Sequence, residues 1–108
     1  MPRPRKRRIL GRMPRAAIYK PGGVPLDQLA RVTLLQEELE ALRLADLEGL
    51  TQAQAADRMG VSRSTFQRIL ARARRQVAKA LSQGLALQIE GGTFEVKPPQ
   101  PRGPRRRA

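Results

Sequence analysis

With 108 residues the chain can build one small domain and no more. It contains neither Cys nor His, which excludes disulfides, zinc fingers and thiol or imidazole chemistry. Its net charge of +13 favours a polyanionic partner, nucleic acid ahead of an anionic membrane.

No run approaches the ~18 apolar residues of a membrane span. The basic N-terminus lacks the apolar segment of a signal peptide. A soluble cytoplasmic protein is the expectation, nucleoid-associated where DNA is the partner. The charge is uneven. Residues 1–20 carry eight Arg or Lys and no acid, residues 21–61 three basic against seven acidic, and residues 62–83 six basic and no acid. Two anion-seeking parts flank an acidic middle.

Residues 1–15 hold three prolines and seven basic residues, a composition that cannot bury a core. They read as a flexible arm whose Arg3, Arg5, Lys6, Arg7 and Arg8 are candidate phosphate contacts. Ile18-Tyr19 is a candidate extended piece, and residues 20–25 (KPGGVP) are a turn-rich link that closes the arm region 1–25. Leu26–Val32 fits a helical turn or a loop equally well.

The globular part, residues 33–83, opens at Thr33, which has capping-box spacing to Gln36. Leu35, Leu39 and Leu42 then share one face of a helix that ends near Gly49, with Glu37, Glu38 and Glu40 elsewhere. Thr51 and Gln54 repeat the spacing and start a second helix over 52–59. Gly60 can adopt the positive φ that ends it. Ser62 caps a third helix over 63–82. Phe66, Ile69, Leu70, Ala73, Val77 and Leu81 form its core stripe, and Arg68, Arg72, Arg75 and Lys79 a basic one.

Ala56, Gly60, Val61, Phe66 and Ile69 have the spacing of two helices crossing over a tight turn, the helix-turn-helix arrangement. In that arrangement the start of the second helix meets base edges. The candidate DNA-binding residues are therefore Ser62, Arg63, Ser64, Gln67, Arg68 and Arg72, with Arg75 and Lys79 further along. Arg can grip guanine O6 and N7, and Gln adenine N6 and N7; Ser suits phosphate. Beyond Gly84, the segments 85–89 and 93–96 read as a hairpin over 84–96 turning at Gly91-Gly92. Such a ribbon needs a partner: the helices, Ile18-Tyr19 or another subunit. Residues 97–108 are a Pro-rich basic tail, read as disordered.

No P-loop, dinucleotide fingerprint or metal-spacing motif is present, and the acids fall on helices, where helix pairing explains them. The expectation is a protein that is no enzyme and carries no cofactor or metal.

Residues 37–81, with LTQAQAADRMGVSRSTFQRILARAR at their centre, resemble the fourth region of bacterial sigma factors, which reads the −35 promoter element through a helix-turn-helix. Residues 1–96, from MPRPRKRR through YKPGGVP to ALQIEGG, also resemble a family of short, uncharacterised prokaryotic proteins held to bind DNA. The resemblance implies a mainly α, sigma-like three-helix domain. It places the DNA-reading role on Ser62, Arg63, Ser64, Gln67 and Arg68. Such relatives often carry cysteines near the N-terminal basic block; here that block is KRRILGR, and a metal or redox role does not carry over. No promoter-melting region accompanies the motif.

The leading expectation is a transcriptional regulator bound to double-stranded DNA, with a homodimer on paired half-sites as one arrangement. The alternatives are a non-specific architectural nucleic-acid binder and a sigma-like module that touches RNA polymerase through the acidic helix 33–47.

Overall fold

The computed structural model describes residues 7–12 and 15–97. Arg3, Arg5, Lys6 and the tail from residue 98 lie outside the described residues. Among those described, three helices and five short strands occur in the order β1 (Arg8–Leu10), β2 (Ala17–Tyr19), β3 (Arg31–Leu34), α1 (Gln36–Leu42), α2 (Gln52–Met59), α3 (Arg63–Gln83), β4 (Ala86–Ile89) and β5 (Phe94–Val96). A single 3-10 turn, Leu26–Gln28, precedes β3.

The second and third helices form where the sequence places them. Thr51 and Gln54 cap α2 reciprocally: Thr51 Oγ1 accepts the Gln54 N–H at 3.1 Å, and Gln54 Oε1 accepts the Thr51 N–H at 2.9 Å. Gly60 ends α2 at φ 68°, and Ser62 Oγ accepts the Thr65 N–H to begin α3. Ala41, Leu44, Ala55, Ala56, Met59, Phe66, Ile69 and Leu70 close into one buried cluster that joins all three helices.

The core stripe of α3 is shorter than expected at its far end. Ala73 and Ala80 are buried, but Leu81 is 79% exposed. At about 3.6 residues per turn, eighteen residues make five full turns, so Leu81 lies under the exposed Arg63 rather than under Phe66.

The first helix begins later than the Thr33 spacing suggests. Thr33 is in β3, where Val32 and Leu34 turn inward and Arg31 and Thr33 outward with strand periodicity. Glu38 Oε1 accepts the Leu35 N–H at 2.8 Å, and the Gln36 N–H donates to the Gly91 carbonyl at 3.1 Å. These two bonds do at the start of α1 what a capping side chain would do. The helix continues through a wider π-type turn, Arg43–Leu47, to Gly49 at φ 74°.

The expected hairpin over 84–96 is not formed. Both strands exist, but each pairs elsewhere. β4 lies between β2, antiparallel with Ile18 opposite Gln88, and β3, parallel with Leu34 opposite Ile89. β5 runs parallel to β1, with Leu10 opposite Val96. The intervening Gly91-Gly92 segment lies against the start of α1: a Cβ on Gly92 would sit 2.8 Å from Glu37 Oε1. Leu34, Ala73 and Ile89 make the cluster that seats the three-stranded sheet on α3.

Part of the segment read as a flexible basic arm is therefore a strand. Leu10 is fully buried, and Ile9 would meet a Cβ on Gly60 at 3.1 Å. β1 thus rests against the turn between α2 and α3.

Candidate nucleic-acid interface

The turn at Gly60 aims one end of α3 outward. The Val61 N–H donates to the Ala56 carbonyl at 3.0 Å, so the chain leaves α2 in a closed loop and enters α3 at once. Phe66, Ile69 and Leu70 hold the new helix on the core, while Ser62, Arg63, Ser64, Gln67 and Arg68 are all exposed. The structure brings these five candidates together on the first two turns of α3.

Their side chains differ in how they are held. Ser62 Oγ, besides capping, lies 3.0 Å from Thr65 Oγ1 and 3.2 Å from Ser64 Oγ. Arg68 donates to Thr65 Oγ1 at 3.3 Å. Gln67 Nε2 donates to Gln52 Oε1, on the first turn of α2, at 2.7 Å. The Arg63 side chain has no partner among the described residues. Arg75 and Lys79 are exposed and likewise unpaired among the described residues.

Two candidates are placed otherwise. Arg72 forms an ion pair with Glu38 of α1, whose side chain is 4% exposed, so this guanidinium already has a carboxylate inside the protein. Arg8 is not an arm contact: it is buried in β1, 3.5 Å from Glu37. Arg7 is exposed.

Glu37, Glu38 and Glu40, which helical spacing places off the Leu35, Leu39 and Leu42 face and helix pairing alone would explain, are all buried. Glu37 Oε1 accepts the Thr93 N–H. Glu40 accepts the Gly11 N–H at 2.9 Å and two hydrogen bonds from Arg43, and pairs with Arg12. The bonds of Glu40 to Arg43 and of Glu38 to the Leu35 N–H stay between neighbours along the helix. The others tie α1 to β1, to α3 and to the segment before β5. Burial pushes the Glu40 carboxyl up, but the hydrogen bonds from Arg43 and Gly11 and the charges of Arg43 and Arg12 outweigh it and hold the group below the usual carboxylate range. A docking face made of these acids is therefore not available on α1.

Asp46 is exposed but engaged. Arg74 of α3 grips it with two bonds, at 2.6 and 3.2 Å, and these hold its carboxyl below the usual range. With Arg72 and Arg74 both paired to the acidic middle of the chain, the cations of α3 that have no carboxylate partner among the described residues are Arg63, Arg68, Arg75 and Lys79. Sequence reasoning did not place Gln52 at this surface; it is the first residue of α2 after the Thr51 cap, and its hydrogen bond to Gln67 brings it to the start of α3.

Among the described residues no helix is long and apolar enough to cross a membrane, and no group of three His, Cys, Asp or Glu could hold a metal ion.

A family model described as "Protein of unknown function DUF134" matches residues 1–97, from ahead of β1 through β5. The chain belongs to this family. It is similar to a UPF0251 protein of Dehalococcoides mccartyi, 57% identical over 96 residues that make up 89% of this chain and 82% of that relative. A UPF0251 protein of Desulforudis audaxviator is 55% identical over 88% of this chain and 62% of its own length. One from Rhodospirillum rubrum is 52% identical over 91% and 68%. No solved structure matches the chain.

Proposed function

We propose that this DUF134 member is a DNA-binding transcriptional regulator that lays the start of α3 in the major groove of a duplex, as a helix-turn-helix does. The observation that carries the reading is the two-sided start of α3. Phe66, Ile69 and Leu70 are buried on one side, and Arg63, Ser64, Gln67 and Arg68 are bare on the other, directly after a left-handed Gly60. The resemblance of residues 37–81 to the fourth sigma region supports it as well.

Roles follow from donor geometry. Arg63 and Arg68 offer paired donors suited to guanine O6 and N7, and Gln67 a donor and an acceptor suited to adenine. Ser64, with the free backbone N–H groups of the first turn of α2, suits phosphate oxygens. Lys79 stands sixteen residues beyond Arg63, about 24 Å along a rod that rises about 1.5 Å per residue. One helix end cannot put both at base edges of the same groove turn, so Arg75 and Lys79 belong over the backbone. Their contribution is sequence-independent and weakened by salt.

Selection of bound duplexes from a random pool tests the reading. A recurrent site is expected, and palindromy in it would indicate paired half-sites and a homodimer. A pool that stays random, with all affinity removed by deleting residues 98–108 and the basic residues ahead of β1, would instead indicate an architectural binder.

A further inference from the structure

The Gln67 amide does not project freely. Its Nε2 donates to Gln52 Oε1 at 2.7 Å, fifteen residues back and on another helix. Gln67 is exposed and Gln52 half-buried. The capping box of α2 uses Thr51 and Gln54, so the Gln52 amide is not needed to start that helix. A neutral hydrogen bond at the surface, where water competes for both amides, also does little for stability. What it does fix is direction.

A primary amide has two donors and an acceptor oxygen with two lone pairs. After one Nε2 hydrogen goes to Gln52, Gln67 keeps one N–H and its Oε1, side by side. That remaining fork matches the N7 acceptor and N6 donor of adenine. Gln52 meanwhile keeps its own Nε2 hydrogens, on the first turn of α2 where free backbone N–H groups favour an anion. The pair therefore links a phosphate-seeking group to a base-seeking one. It also orders the Gln67 side chain before DNA arrives, which removes part of the ordering cost of binding.

We infer that Gln52 is a positioning residue of the DNA-reading surface: it sets the Gln67 amide for an adenine edge and offers its own amide nitrogen to the neighbouring phosphate. This rests on the DNA-binding reading above.

The test uses the full chain, the duplex it selects, and that duplex with the A·T pair facing Gln67 replaced by G·C. Gln67→Ala and Gln52→Ala should each lower the preference for A·T by about fivefold or more, the low end for losing a bidentate contact. The double variant should lose no more than either single one. Gln52→Glu should keep the preference, because its carboxylate still accepts from Gln67 Nε2. It should nevertheless bind both duplexes more weakly, because it repels phosphate. Thermal melting of each variant establishes that it is folded; of the two positions changed, Gln67 is exposed and Gln52 half-buried. A selected duplex whose A·T preference ignores Gln52→Ala or Gln67→Ala, or is lost equally in Gln52→Glu, overturns this inference alone. A wild-type chain with no preferred duplex overturns it together with the DNA-reading proposal.

Discussion

Arg72 of α3 and Glu38 of α1 form an ion pair with Nη1 and Oε2 2.5 Å apart, and the same carboxylate caps α1 through the Leu35 N–H. One cation of the basic stripe thus holds the rod to the helix behind it. Arg72→Ala should therefore destabilise the fold by about 1.5–3 kcal/mol, the usual worth of a hydrogen bond to a charged group. Its effect on sequence preference should be small. Chemical unfolding beside duplex binding distinguishes the roles; unchanged stability with lost preference would make Arg72 a base reader.

Arg68 and Lys79 should separate in the opposite sense. Arg68→Ala should cost about 1–3 kcal/mol on a preferred site and much less on random DNA. Lys79→Ala should weaken both alike and lower the salt slope of binding by about 0.9, the share of one phosphate contact. Titrations of both variants at several salt concentrations check this, and equal losses for Arg68→Ala on both duplexes would remove its specificity role.

The buried carboxylate of Glu40 makes stability depend on acid. Its folded-state pKa lies below the unfolded value, so the unfolded chain binds more protons and stability rises with pH. The contribution is fully present above about pH 5 and is lost as pH falls through and below the ordinary Glu value of about 4.3. Glu40→Gln should be less stable at neutral pH by on the order of 3 kcal/mol, as for a broken buried pair. Its deficit should shrink toward pH 3. Melting curves across that range check the prediction; a constant deficit would show that the ionisation of Glu40 does not matter.

Gly60 has two reasons to be glycine. Its φ is +68°, and a Cβ there would meet Ile9 Cδ1 at 3.1 Å. Gly60→Ala should cost about 1–2 kcal/mol from backbone strain alone. Trimming the contact with Ile9→Ala in the same chain should not recover that loss. Unfolding of Gly60→Ala, of Ile9→Ala and of the double variant measures it.

The parts of this fold legible in the sequence are the local ones. Thr51, Gln54, Gly60, Ser62 and Gly84 act within a few residues of themselves, and α2 and α3 begin and end where these residues dictate. Of the long-range pairings, only that of Ile18-Tyr19 with the ribbon stands among the alternatives the sequence raises, and β2 does pair with β4; the pairings of β3 and β5 were not legible. Gly91-Gly92 looks like a hairpin turn, yet β4 binds strands more than fifty residues earlier and β5 binds β1. The Val32 and Leu34 alternation signals a strand, but the Thr33–Gln36 spacing competes with it. Composition hid Arg8-Ile9-Leu10, a strand within a Pro- and Arg-rich segment, and with it the ion pair of Arg8 to Glu37. At the site, helix periodicity located Arg63, Gln67 and Arg68, because exposure follows from the core stripe opposite. It could not locate the partners of Arg72 and Arg74, which come from α1 and from Asp46 beyond it.

The central claim is that the exposed start of α3 reads a duplex. The most direct measurement compares the wild type with the folded triple variant Arg63→Ala, Gln67→Ala, Arg68→Ala, each titrated against the selected duplex and a scrambled one. The account predicts that the triple variant binds both duplexes with the same residual, salt-sensitive affinity. Wild-type preference persisting in the triple variant would contradict it.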